Sequence, residues 1–196
     1  DTGRRAAFLS HFKQEAASEA RLLKMMFVNK LARFGISDDD IFLDSDNLHK
    51  ITVLLQEVKN TDNLVVLLTK EILTRPWCLL ELWTAHQNGV KIVPVKIETT
   101  GDRVFEFGAR AEAFKTDLAS QVGRSCVEAI AEHGATVEAT QRAIAELLDA
   151  IALPFNINAS QGVQDAQLGD IVARCLPAGV TLPRPGEQTS SVCSIM

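Results

Sequence analysis

Short, continuously apolar blocks alternate along this chain with longer stretches in which apolar residues recur every three or four positions. That alternation predicts strands separated by helices. Ala6-Ala7-Phe8-Leu9-Ser10 is the first short block and reads as a buried strand. Ala16, Ala20, Leu23, Phe27, Leu31 and Phe34 follow at helical steps, and Gly35 stands where a C-cap glycine belongs. Ile41-Phe42-Leu43 gives a second strand, closed by the turn-forming Asp44-Ser45-Asp46-Asn47, with a helix over 49–59. The third strand, 63–68, is wholly apolar after Asn63, as expected of a parallel strand covered on both faces. Pro76 opens the next helix and Gly89 closes it. Lys91-Ile92-Val93-Pro94-Val95 is the fourth strand, and its proline points to an edge or a strand end. Helical segments over 104–120, 124–133 and 136–150 precede a fifth strand at 151–155 and a last helix over 166–175.

Strands alternating with helices predict right-handed βαβ units and a parallel sheet. The expected fold is therefore α/β: a flavodoxin-like, doubly wound, five-stranded sheet with extra helices in the C-terminal half and function at the carboxyl ends of the strands. Residues 1–175 are expected to form this domain. The text from 176 to 196 is rich in Pro, Gly, Ser and Thr and reads as a tail.

Composition narrows the function classes. At 46% hydrophobic and 23% charged, the 196 residues carry enough apolar material for a core. A net charge of -5 argues against nucleic acid or anionic lipid as an obligatory electrostatic partner. No apolar run approaches the roughly 20 residues of a membrane span. The chain begins at Asp1, so a trimmed start is expected. Cys78, Cys126, Cys175 and Cys193 form no CxxC pair, which disfavours zinc and points to a reducing, cytoplasmic setting.

The strand-to-helix junctions carry no GxGxxG, no GxxxxGK[ST], no HExxH and no GxSxG, and the four histidines form no ligand pair. The informative stretch is Trp77-Cys78-Leu79-Leu80-Glu81-Leu82-Trp83, in which Glu81 is the only charge. Glu81 lies one turn beyond Trp77 and Cys78, so the three share a face near a helix start. Desolvation there favours the neutral acid while the helix dipole favours the carboxylate. The plain alternative is a glutamate that reaches solvent between two core contacts.

These residues resemble a Toll/interleukin receptor (TIR) domain of the plant and bacterial type. Phe8-Leu9-Ser10-His11 is similar to the family's first-strand signature. Phe42-Leu43-Asp44 with Leu48 resembles its second strand and the start of the BB loop. Leu64 to Thr69 resembles the third strand, Arg75-Pro76-Trp77-Cys78-Leu79-Leu80-Glu81-Leu82 the WCLxEL motif, and Ile92-Val93-Pro94-Val95 the fourth strand. The resemblance covers 6–97, with 104–150 as a helical expansion and 151–175 as the last strand and helix.

The resemblance implies an NAD+ glycohydrolase, activated by self-association in stress or immune signalling, or alternatively a scaffold acting through TIR–TIR contacts. It implies Glu81 as the catalytic residue. Ser10, His11, Phe12, Lys13, Asp44, Trp77 and Cys78 are the expected contacts to NAD+, which is a substrate, with no cofactor or metal. Each has a structural alternative: Trp77 as core, His11 as a neutral hydrogen-bonder, Lys13 as a solvated helix start, Cys78 as a small hydrophobe. Active members carry D-x-x-x-L-x-x-G in the BB loop, and Ile51 stands here at the glycine position, a departure that bears on assembly. A phosphoacceptor receiver domain shares the fold class but needs acidic residues where this chain has Ser10-His11 and Thr69.

The last four residues, Cys193-Ser194-Ile195-Met196, fit the C-a-a-X pattern, making Cys193 a prenylation candidate and the only expected route to a membrane. One prenyl chain binds marginally, so a second signal is needed, for which Cys175 is the candidate.

Overall fold

The computed structural model describes residues 3–32, 35–43, 51–98 and 101–176. Asp44 and the tail with Cys193 lie outside the described residues. In chain order the elements are β1 Ala7–Ser10, α1 Lys13–Leu31, β2 Ile41–Leu43, α2 Ile51–Lys59, β3 Asn63–Leu68, α3 Pro76–Gln87 and β4 Lys91–Ile97. They continue with α4 Ala109–Thr116, α5 Leu118–Val122, α6 Arg124–Ala131, α7 Val137–Asp149, β5 Leu153–Phe155 and α8 Gln161–Cys175. All strands are parallel, in the order β2-β1-β3-β4-β5, which is the flavodoxin-like topology.

The alternation of side chains along each strand sorts the core into two layers. Phe8, Leu64, Val66 and Leu68 point to the face covered by α2, α3 and α7. Ala7, Leu9, Val65 and Leu67 point to the face covered by α1 and α8. Every residue of β3 is buried, and the strand is apolar after Asn63 because neither face meets water. Helix α7 packs on both β4 and α3, and α4 and α6 pack in turn on α7 and α3. The C-terminal helical region is thus part of one cover of the sheet.

Several local features follow from residue chemistry. Pro76 occupies the first turn of α3, where a missing N–H costs nothing. Gly89 (φ +64°) ends that helix and Gly35 (φ +79°) follows α1, both in left-handed backbone that other residues adopt at a cost. Ile51, at the BB-loop glycine position, is the first residue of α2 and packs partly buried against the core. Asn63 donates from Nδ2 to the carbonyls of Ala6 (2.8 Å) and Cys175 (3.0 Å), tying the end of α8 to the strand starts.

Four expectations are corrected. Strand β4 lies inside the sheet rather than at its edge. Its Pro94 is tolerated because β5 joins β4 only from Val95, so no ladder bond to β5 is missed. The segment from 104 is helical only from Ala109, because Val104 instead bridges antiparallel to Thr69, and it breaks again between α4 and α5, where Asp117 leaves helical geometry (φ −140°, ψ 49°). The last helix starts at Gln161, earlier than its apolar periodicity indicates, since the one large apolar residue of its first turn, Val163, is exposed and feeds no core contact pattern. Cys175 is a poor acylation site, as burial pushes its thiol up to about 12.

Replacing Leu67 by Ala in the fully buried β3 is expected to cost about 2–5 kcal/mol in urea unfolding. A pH-dependent contribution comes from Glu71, whose carboxyl is held below its ordinary value first by hydrogen bonds from Arg110 (3.1 and 2.9 Å). A depressed carboxyl stabilises the fold above its unfolded pKa and loses that contribution as pH falls through its folded pKa. Arg110→Gln should therefore lower the melting temperature at pH 7 and leave a shallower decline below about pH 4.5 than the parent shows.

Candidate active site

The carboxyl ends of β1 and β3 meet the starts of α1 and α3, and a cavity of about 420 Å³ opens there. It is lined by His11, Phe12, Lys13 and Gln14 on the β1 side and by Arg75, Pro76, Trp77, Cys78 and Glu81 on the α3 side. Residues more than sixty positions apart in the chain are thus brought together by two successive parallel crossovers, β1-α1-β2 and β2-α2-β3.

Glu81 is 5% exposed, which removes the alternative in which it reaches solvent. Its position follows from strand alternation. Ser10 shares a face with Phe8, the face that α3 covers, and its hydroxyl donates to Glu81 Oε2 at 2.5 Å. Ser10 is itself 2% exposed and does not line the cavity. Its contact is with the carboxylate and not with the open space, so it holds Glu81 in place instead of meeting a ligand directly. A buried carboxylate oxygen that accepts from a hydroxyl keeps part of the hydrogen bonding it loses on leaving water.

Trp77 is 43% exposed, which overturns the reading of this indole as core. It stands at the rim of the cavity, one turn before Glu81. Cys78 is half-buried and its thiol donates to the His11 carbonyl (3.7 Å), joining the loop after β1 to α3. His11 Nδ1 lies 3.4 Å from the Leu9 carbonyl, to which it donates in the tautomer protonated there. Lys13 is exposed at the start of α1.

The first turn of α1 is positioned separately from the rest of the helix. The backbone leaves helical geometry at Ala16 (φ −140°, ψ 23°), just after the residues that line the cavity. Glu15 is buried, its carboxylate accepts from the Glu71 backbone N–H (3.0 Å), and its carbonyl accepts from Arg103 Nη1 (2.9 Å). Lys70 N–H in turn donates to the Arg103 carbonyl (3.0 Å). The loops after β3 and β4 therefore clamp the turn that carries Lys13 and Gln14.

Arg75 is the cavity residue that sequence reasoning left without a role. Its guanidinium carbon lies 4.1 Å from the centroid of the Phe12 ring, a cation–π distance. The signal was present in the Arg-Pro step before Trp77, but nothing local distinguishes a helix-start arginine facing solvent from one folded over a partner ring.

Among the described residues there is no group of three or more His, Cys, Asp or Glu placed to hold a metal ion, and no helix long and apolar enough to cross a membrane. No protein-family model matches the chain, and no curated protein matches it. Among solved structures, it is similar to the TIR domains in the structure of the activated Roq1 resistosome directly recognizing the pathogen effector XopQ. The identity is 16%, the match covers 85% of this chain and 96% of that one, and the TM-score is 0.49.

The Ser10–Glu81 pair is open to a double-mutant cycle. Ser10→Ala should destabilise the protein by about 1–3 kcal/mol in urea, because a buried carboxylate loses a donor. Starting from Glu81→Gln, which removes the charge, the same change should cost measurably less. Equal costs in both backgrounds would show that the pair is uncoupled.

Proposed function

We propose that this chain is a TIR-type NAD+ nucleosidase, cleaving NAD+ to nicotinamide and ADP-ribose or cyclic ADP-ribose and activated by self-association. The observation that carries the reading is Glu81: one buried carboxylate, hydrogen-bonded to Ser10, at the inner wall of a cavity on the carboxyl edge of a parallel sheet. The WCLxEL stretch that resembles plant-type TIR domains supports it through the same residue.

The chemistry matches what the cavity offers. The bond between ribose C1′ and the nicotinamide nitrogen breaks with its electron pair going to nicotinamide, which leaves neutral and needs no acid. Positive charge then develops on the ribose, and a preorganised carboxylate beside it stabilises that charge more than it stabilises the ground state. Water then bonds to C1′ and gives its proton to solvent, forming ADP-ribose, or an adenine nitrogen of the same molecule bonds to C1′ and forms the cyclic product. Ser10 fixes the carboxylate. Trp77, exposed at the rim, offers a stacking wall for the nicotinamide ring, and His11, Phe12 and Lys13 border the space that the remainder of the dinucleotide would occupy. The polar BB-loop residue Asp44 stays a proposed contact on the resemblance alone.

The test is nicotinamide release from NAD+ by the purified chain over a concentration series, beside Glu81→Ala and Glu81→Gln. Turnover per molecule should rise with protein concentration, and both variants should lose at least about a hundredfold in kcat, the scale of removing one electrostatic stabiliser. Folded wild type with no turnover at any concentration would replace this reading with the scaffold one.

A further inference from the structure

The candidate cavity has a second chemical end, opposite in sign to Glu81. Arg75 closes the N-terminus of α3 with extended backbone (φ −96°, ψ 118°) and folds over the Phe12 ring. Its Nε is buried and has no hydrogen-bond partner, and among the described residues no carboxylate forms an ion pair with its guanidinium. A guanidinium N–H removed from water without an acceptor is costly, and protein interiors rarely leave one so. The aromatic platform keeps the group in place but accepts no hydrogen bond in its plane.

The surroundings of Arg75 suit an anion. Helix α3, of 12 residues, begins at this cavity, and so does the single turn of α1 that precedes the break at Ala16. Neither start is closed by a side-chain cap: the N-cap residues are Phe12 and Arg75, and neither can accept from the first-turn N–H groups. The positive dipole end of α3 and the uncapped first-turn N–H groups of α1 thus face one space, with the cationic Lys13 at its edge. Glu81 lies deeper, about one and a half helical turns further along α3.

We propose that Arg75 is a substrate-binding residue whose guanidinium, with the starts of α1 and α3, holds the diphosphate of a dinucleotide while the glycosidic end lies at Glu81. This rests on the NAD+ reading above and adds to it the group that fixes the substrate's polarity in the cavity. Two phosphates match the site better than one, because the positive groups lie on both strand-to-helix junctions and not on a single helix start. A guanidinium stacked on a ring presents its remaining N–H groups edge-on, the geometry for a bidentate contact to phosphate oxygens.

Inorganic pyrophosphate is the probe, since it carries the diphosphate without any bond that the enzyme is proposed to cleave. Titrated into the full chain, it should shift the Arg75 Nε–H resonance and bind with an affinity that falls as salt rises. Arg75→Gln should weaken it at least about tenfold, Arg75→Lys less, and orthophosphate should bind more weakly than pyrophosphate. Arg124→Gln, at an exposed arginine on α6 paired with Glu128, should bind like the parent. No binding by the parent, an unmoved Arg75 resonance, or equal affinity in Arg75→Gln would each overturn the assignment. If Arg75→Gln does not fold, the resonance in the parent and the affinity of Arg75→Lys decide.

Kinetics with NAD+ separate the two claims. Arg75→Gln should raise KM with little change in kcat, since the contact is made alike in ground and transition states. If the parent binds pyrophosphate through Arg75 but releases no nicotinamide, the cleavage reading falls and the anion subsite stands. If it releases nicotinamide and KM is unchanged in Arg75→Gln, the subsite falls alone.

Discussion

A sheet whose strands all run the same way has to return each chain over one of its faces, and both faces then leave water. Strand β3 shows the consequence most fully, with every residue buried and successive side chains feeding the two opposite core layers. That single requirement arranges the rest. Strand ends collect along one edge, helix starts collect beside them, and whatever polar residue sits at a junction is brought against residues far away in the chain. Ser10 and Glu81 meet for this reason: the strand's alternation turns Ser10 toward the face that α3 covers, and α3 buries its inner side there.

The same edge holds charges that an ordinary core would exclude. A carboxylate is kept at the inner wall with a hydroxyl on it, and a guanidinium is kept above an aromatic ring nearby. Neither arrangement adds much stability on its own, since burying ionised groups costs what their contacts return. Both are instead supported by the apolar mass around them, with Leu79, Leu80 and Leu82 anchoring the helix that carries Glu81. The clamp from Glu15, Arg103 and Lys70 serves the opposite wall, holding the first turn of α1 where the helix geometry breaks. Such a site is stiff at its inner wall and open at its rim, where Trp77 faces outward.

Much of the architecture was legible from local pattern. The extents of β2 and β3 and the start of α3 follow from short apolar blocks and a proline, and Gly35 and Gly89 mark helix ends through backbone freedom alone. Where the pattern misled, a nonlocal partner was responsible. Pro94 looked like an edge residue, yet the edge it occupies is only the short stretch of β4 that β5 does not reach. Residues 104–108, Val104-Phe105-Glu106-Phe107-Gly108, are mostly poor helix formers, and the bridge from Val104 to Thr69 takes that backbone into a loop against β3. Trp77 is by type a core residue, and it is exposed because it sits in the first turn of α3 at the cavity rim, whereas Glu81, on the same face one turn later, is buried.

The linear chain settled the order of strands and helices, the parallel sense of the sheet, and the isolation of one carboxylate within an apolar helix face, because periodicity and residue type act over a few neighbouring positions. It also carried the motif around Glu81. Tertiary structure alone decided that Glu81 is buried, that Ser10 grips it and stays out of the cavity, and that Arg75 bends over Phe12 with an unpartnered N–H. Those outcomes depend on which side chains meet across two successive crossovers that together span more than sixty residues. Burial and hydrogen bonding are properties of the contact and not of either residue, so neither partner's local sequence contains them.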